Sequence, residues 1–196
     1  KVLLVDHAKK IGEKIRISGG GRCNFTNTNT HPNKFISNNP KFVISALSQY
    51  TQNNFINLIN KHNIKFHEKK LGQLFCDQSA QQIVDMLILE CQNAKVTMKK
   101  ETYVTEVDKQ DDKYFIDTGD DNYSCTSLII ATGGLSVPKI GASKFGYDIA
   151  QKFNMNIVET LPALVPLTFN EKILEMCKEL SGLSLEAVVF FNKIFF

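Results

Sequence analysis

The chain has 196 residues, 43% of them apolar, and a formal net charge of +3, which suits one domain or one and a half, with area enough for a buried core. Its 23 lysines and arginines are interspersed among 20 acids, so no basic stripe argues for nucleic acid, and no apolar run is long enough to span a bilayer. The five cysteines are odd in number, widely spaced and free of any CxxC, which argues against a disulfide framework or a zinc site and fits a reducing cytosol better. No signal peptide is visible. Neither nucleic acid nor a membrane is therefore expected as a partner, and the expected location is the cytoplasm.

"KVLLVD", at the start, is a short apolar run ending in an acid, as in a buried parallel strand. Residues 7–38 are rich in Gly, Asn, Thr and Lys and predict one long loop region. From Pro40 to His62 the apolar spacing predicts two short helices broken near Thr51. "IKFHEKKLGQLFCD" predicts short strands around a turn at Gly72. Ser79 is placed to cap a helix over 80–93, with Ile83, Val84, Leu87 and Cys91 on its inner face. "VTMKK", "YVTEVDK", "KYFIDT" and "YSCTSLIIAT", separated by Asp/Asn/Gly turns, predict a β meander. "GYDIAQKFN" reads as a short amphipathic helix. "ALVPLTF" and "LEAVVFF" read as later strands, with a helix over about 171–180 between them. Both ends read as strand without a polar tail, as expected of an internal segment of a longer protein.

Three constellations carry chemistry. Asp6 ends an apolar strand, where a carboxylate can accept hydrogen bonds from both ribose hydroxyls of a dinucleotide; a solvated strand end is the plainer alternative. The G-x-G-x-x-G fingerprint would precede Lys1. In "GGGR", successive glycines let main-chain N–H groups approach an anion, and Arg22 adds a permanently charged fork. Arg22 and Arg16 are the two arginines of the chain. A flexible turn with a surface arginine fits this stretch equally well. "LIIATGG" runs an apolar strand into bare main chain, and ligands of open α/β sheets bind at such strand ends; a strand with a tight turn is again the plainer alternative. Cys23 is a redox candidate with Cys76, against a packing role. His67, beside Glu68, is a weak acid–base candidate. The four histidines have no metal spacing.

Together, "KIGEKIRISGGGRCNFTN", "GQLFCDQSAQQIVDML", "LIIATGGLSVPKIGASKFGYDIAQKF" and "LPALVPL" resemble the YhiN/BaiN-type NAD(P)/FAD-dependent oxidoreductases, also known as aminoacetone-oxidase-like flavoproteins, over nearly the whole chain. The resemblance implies an α/β fold: a FAD-binding, Rossmann-like domain of the two-dinucleotide-binding type with a β meander, truncated at both ends. Residues 1–161 would be the partial FAD domain, and 162–196 the start of a second, β-rich, substrate-side domain. It implies FAD as cofactor, NAD(P)H as a candidate co-substrate, and hydride transfer through flavin N5 to or from an amine or other small organic substrate. Asp6 matches the ribose-binding acid, usually Glu. Lys14 and the loop Ser18, Gly19, Gly20, Gly21, Arg22, Cys23 and Asn24 match the segment running along the cofactor to the flavin ring. Val104 matches the position whose main chain meets the adenine. Thr132, Gly133 and Gly134 match the turn under the pyrophosphate and ribose.

Arg22 and Cys23 are the catalytic candidates. Arg22 would stabilise the charge of reduced flavin near N1–C2, or face the pyrophosphate or a substrate carboxylate. Two departures bear on substrate specificity: the usual Gly-Arg-Phe-Pro reads "GQLFC", with Gln73 and Cys76, and Lys144 stands where a small residue is usual. Truncation would leave the segment itself a poor FAD binder. Three rivals stay open: a flavin- or nucleotide-binding module without turnover, an FAD-dependent RNA-modifying enzyme with a basic groove, and a ligand-free structural segment.

Overall fold

The computed structural model describes residues 1–137, 140–161, 168–183, 188, 190–191 and 194–195. The chain divides into two compact units, Lys1–Met155 and Asn156–Phe196.

The first unit opens with β1 (Leu3–Val5), which pairs in parallel with β5 (Thr97–Lys99). The parallel reading of "KVLLVD" therefore holds, but its burial is partial, with Leu3 37% exposed. "VTMKK", expected in the meander, is instead the parallel partner of β1. Neighbours in sequence make hairpins, whereas a parallel partner must arrive from a distant crossover.

The stretch 7–38 is not one loop. It holds α1 (Glu13–Ile17), a tight turn over Ser18–Gly21 and β2 (Asn24–Asn27). β2 joins β4 (Gln73–Cys76), which also pairs with β3 (Phe66–Glu68), giving an antiparallel sheet of order β2–β4–β3. β2 reads as polar, yet its Phe25 packs edge-on against Phe66 at 5.4 Å and tilted against Phe55 at 6.1 Å. One aromatic anchor fixes it where alternation was too short to show.

The predicted break at Thr51 separates α2 (Ile44–Gln49) from α3 (Gln52–Lys61). Thr51 Oγ1 accepts from the Asn54 N–H at 3.3 Å and Asn54 Oδ1 accepts from the Thr51 N–H at 2.8 Å. This reciprocal capping box satisfies donors that a new helix start leaves unpaired. α4 spans Gln81–Asn93, one residue later than expected, and Ser79 Oγ accepts from the Gln81 N–H at 3.1 Å. Its buried face is Ile83, Val84 and Met86; Cys91 is only half-buried. Ile83 and Met86 join Cys23, Ile59, Ile64, Cys76 and Ala80 in one core, against which Ile15, Phe25, Phe55 and Leu87 pack.

The meander is β6 (Glu106–Gln110), β7 (Lys113–Asp117) and β8 (Asn122–Cys125), in that order. Val107 and Ile116 face α5 (Phe145–Lys152) through Ile149, with Val104 packed beside them. "SLIIAT" forms no ladder among the described residues, and Ile129 is 85% exposed. An apolar β-branched run states a preference for extended chain but does not supply a partner strand.

In the second unit, α6 (Glu171–Glu179) is capped by Asn170, whose Oδ1 accepts from the Ile173 N–H at 3.1 Å. β9 (Phe190–Phe191) pairs antiparallel with β10 (Ile194–Phe195). The strand expected at "ALVPLTF" falls largely on 162–167, outside the described residues. "LEAVVFF" is described at 188 and 190–191.

Candidate functional site

The two ends of the candidate site are built at the carboxyl edge of the β1–β5 pair and along the 18–24 loop. Asp6 follows β1 directly. Its N–H donates to Lys99 O at 2.9 Å and its Oδ1 accepts from the Ala8 N–H at 2.8 Å. One carboxylate oxygen is thus used to turn the chain, and Oδ2 is not. Beyond Asp6 lies an open cleft of about 360 Å³ lined by His7, Ala8, Lys9, Glu101, Tyr103, Ile140 and Gly141. The rings of His7 and Tyr103 stand 5.4 Å apart at 39°, and Gly141 lies against the His7 ring. Val104 follows Tyr103 and is half-buried in the meander core.

The second region is set by α1. Its Arg16 donates from Nε to Gln81 Oε1 at 2.7 Å and pairs with Glu13 at 2.6 Å, so the neighbouring arginine is used to hold α1 against the start of α4. The chain then passes through Gly19, Gly20 and Gly21, all left-handed. A Cβ on Gly19 would sit 2.6 Å from Phe75 Cε1 and 2.8 Å from Asn24 N, whereas one on Gly20 would meet nothing within 4 Å. Gly19 is therefore pressed on the sheet and Gly20 faces open space. The Cys23 N–H donates to Ser18 O at 3.0 Å and the Arg22 N–H to Gly19 O at 3.3 Å. These two N–H groups close the turn on itself and are not offered outward. The turn is tied down by Cys76 N–H to Arg22 O at 2.9 Å and Ala80 N–H to Gly21 O at 2.8 Å.

Lys14, Ser18, Cys23 and Asn24, four of the residues expected along a cofactor, line one pocket of about 280 Å³ with Ile15, Phe25, Phe55, Ile83 and Leu87. The lining is part polar and part apolar. Lys14 Nζ also bonds to Ser136, at 3.3 Å to its carbonyl oxygen and more closely to its hydroxyl. That contact brings the segment after Thr132–Gly133–Gly134 to α1 across 122 residues. The 130–134 segment itself lies on α5: a Cβ on Gly146 would come within 3.2 Å of Thr132 Oγ1.

Arg22 is absent from both linings. Its exposed guanidinium donates to the main-chain carbonyl of Asp77, which braces the loop against the end of β4. Cys23 and Cys76 are 5% and 0% exposed, and both are free thiols. Burial, then the neighbouring Cys23 and the Asp77 charge, push the Cys76 thiol up to about 11. A thiol held protonated is a poor nucleophile, so packing is the reading the geometry favours for this cysteine. His67 pairs with Asp77 at 2.7 Å rather than with Glu68, and stacks on Phe75.

Sequence reasoning missed His7, Tyr103 and Gly141 at the first cleft, Ser136, and the apolar wall Phe25–Phe55–Leu87. Only Gly141 had a visible signal, in the "GASKFGY" turn. Among the described residues no helix is long and apolar enough to cross a membrane.

Known proteins extend this geometry. The sequence matches the HI0933-like protein Rossmann domain over residues 1–189. It is 49% identical, over 189 residues and 96% of its length, to the ribosomal RNA dihydrouridine synthase of Escherichia coli (strain K12), of which it covers 47%. It is 42% identical over 206 positions to the protein of the same name from Haemophilus influenzae, covering 51% of it. A third relative, at 24% over 85% of the chain and 41% of the relative, is the 3-dehydro-bile acid delta(4,6)-reductase of Clostridium scindens. The chain thus spans about half the length of these relatives. Two relatives named for ribosomal RNA overturn the expectation that nucleic acid is excluded. Net charge and sequence spread are poor guides here, because a few locally grouped cations suffice to bind phosphates. The family match across nearly the whole sequence, together with the cleft at the carboxyl edge of the parallel pair, establishes that the chain belongs to the HI0933-like family and carries its Rossmann domain.

Proposed function

We propose that this chain provides FAD-binding structure for a reductase that converts a uridine of ribosomal RNA to dihydrouridine. The 49% identity to the Escherichia coli protein of that name carries the reading. The residues present fit the cofactor. Asp6 keeps one oxygen to accept from a ribose hydroxyl, and His7 and Tyr103 offer ring faces beside it. Lys14, Ser18, Cys23 and Asn24, in one lining with Phe25, Phe55 and Leu87, offer a flat ring both apolar faces and polar partners.

When bound, FAD supplies two-electron hydride chemistry. Saturating the uracil C5–C6 bond adds a hydride and a proton, so NAD(P)H and one proton are consumed and NAD(P)⁺ is released. The chain's own residues orient the reactants and exclude water. Cys23 Sγ, 5% exposed on the pocket wall, Lys14 Nζ and Ser18 Oγ are the groups there placed to orient a bound ring. Arg22 acts at one remove, by fixing the loop through the Asp77 carbonyl.

The test supplies the FAD-loaded protein with unmodified transcribed ribosomal RNA and NADH or NADPH without oxygen, and looks by mass spectrometry for a uridine that has gained two hydrogens. Reductant consumption that ignores RNA, with no such nucleotide, refutes the reading. It would favour reduction of a small unsaturated organic substrate, the second reading, for which the bile-acid reductase relative is the specific support.

A further inference from the structure

A uridine inside folded RNA is stacked and paired, and an enzyme that acts on its ring must first draw it out. The tip of the β3–β4 hairpin carries a side chain placed for that. Lys70–Gly72 form the tight turn, and Leu71 adopts φ +61° with its side chain 85% exposed. A left-handed leucine is a costly conformation, and here burial of the side chain does not offset it.

The main chain of the turn is nevertheless firmly held. Leu71 O accepts from Asn27 Nδ2 at 3.0 Å and Asn29 Nδ2 at 3.3 Å. Gly72 O accepts from the Thr28 N–H at 2.8 Å, and Lys69 N–H donates to Gln73 O at 2.8 Å. Gly72 is buried at φ +81°, and a Cβ there would fall 2.4 Å from Thr28 Oγ1 and 2.6 Å from Asn29 Nδ2. A polar bracket from the end of β2 and the loop after it thus grips the backbone and presents the isobutyl group to solvent. Strain retained by a rigid surround marks functional positions.

One cation stands beside the turn. Lys69 Nζ lies 4.1 Å from the Phe75 ring centroid, and His67 stacks on the same ring. Lys65 and the exposed Arg22, which reaches Asp77, stand at the opposite end of the hairpin, where the Asp77 N–H donates to Lys65 O at 3.0 Å. Of the nearby carboxylates, Asp77 is paired with His67 and Glu68 lies within β3.

We propose that Leu71 is a wedge that enters a base step of the RNA and unstacks it, with Lys69 on the adjacent phosphates. Apolar side chains on rigid supports act this way in nucleic-acid kinking. The proposal rests on the RNA reading above and assigns it a surface.

The FAD-loaded protein is mixed with a short RNA hairpin whose stem uridine is flanked by 2-aminopurine, which brightens on unstacking. Leu71→Ala is expected to weaken unstacking and dihydrouridine formation in the stem by roughly tenfold or more, the scale of one lost unstacking contact. Reduction of a single-stranded uridine oligomer, which needs no wedge, is expected to stay unchanged, as is the flavin spectrum. Leu71→Gly, which relieves the strained φ, is expected to show the same defect, and Leu71→Met to retain function. Lys69→Gln is expected to lower the slope of log affinity against log salt by about 0.9 per phosphate contact.

Stem reduction by Leu71→Ala and Leu71→Gly equal to wild type overturns the wedge and leaves the RNA reading standing. An equal loss on stem and single strand also overturns it, pointing to a structural role. Unchanged RNA unstacking with lost self-association in sedimentation overturns it in favour of a protein contact. A wild type that neither binds nor modifies RNA removes both readings.

Discussion

Gly19 and Gly20 share a left-handed backbone but meet different surroundings, and that contrast can be measured. At Gly19 an added methyl would lie 2.6 Å from a ring carbon of Phe75, itself 6% exposed, and 2.8 Å from the Asn24 main-chain nitrogen. Neither atom belongs to the free end of a flexible side chain, so the clash must be relieved by moving the loop or the sheet. The left-handed φ costs an alanine about 1 kcal/mol at either position, and overpacking adds about 1–3 kcal/mol at Gly19 alone. Gly19→Ala is therefore expected to lose about 2–4 kcal/mol and Gly20→Ala about 1 kcal/mol, read from urea midpoints at unchanged m-value. FAD affinity should invert the order of importance. Gly20 faces open space, where the cofactor is proposed to pass, so Gly20→Ala should weaken FAD binding by about tenfold, roughly 1.4 kcal/mol, with the fold nearly intact. Equal destabilisation of the two variants would refute the packing argument. Unchanged FAD affinity in Gly20→Ala would refute the path along the loop.

Asp6→Asn preserves an acceptor for the Ala8 N–H but removes the charge, and should raise the FAD dissociation constant by about tenfold, as a charge-assisted hydrogen bond is weakened; an unchanged fluorescence titration would remove Asp6 from the ribose. Thr51→Ala should cost about 1 kcal/mol by opening the capping box, while Thr51→Ser stays near wild type in the same urea assay. Cys76, whose thiol is raised from about 9 to about 11 by burial, contributes stability that is present below pH 9 and declines as pH rises toward 11, because only the unfolded thiol ionises freely in that window. Cys76→Ala should flatten this alkaline decline, and native Cys76 should resist thiol reagents at pH 8 while the urea-unfolded chain reacts.

Much of the fold was legible because it is local. The break at Thr51, the hairpin at Gly72, α4 and the β6–β8 turns each carry their signal within a few residues. β5 was misassigned because its partner, β1, lies more than ninety residues away, and nothing in "VTMKK" names it. The candidate site followed the same rule. Lys14, Ser18, Cys23 and Asn24 are close in sequence and do share a pocket. Arg22 could be recognised as unusual but not oriented, because its acceptor is a main-chain carbonyl 55 residues on, and every residue offers such a carbonyl. Lys14 was expected along the cofactor, yet its bond to Ser136 depends on where a distant glycine turn folds back.

The β1–β5 pair has a consequence for handling the protein. As a two-stranded parallel sheet it leaves an unpaired edge on each side among the described residues. Val2, beside β1, is 60% exposed. Such edges pair readily with extended chain from another molecule when neither proline, bulge nor inward charge blunts them. Preparations of this chain should therefore show turbidity that rises with concentration and persists when salt is varied, since main-chain pairing and apolar contact are little screened. A lysine placed at Val2 would be the economical remedy, because it guards the edge without touching either pocket.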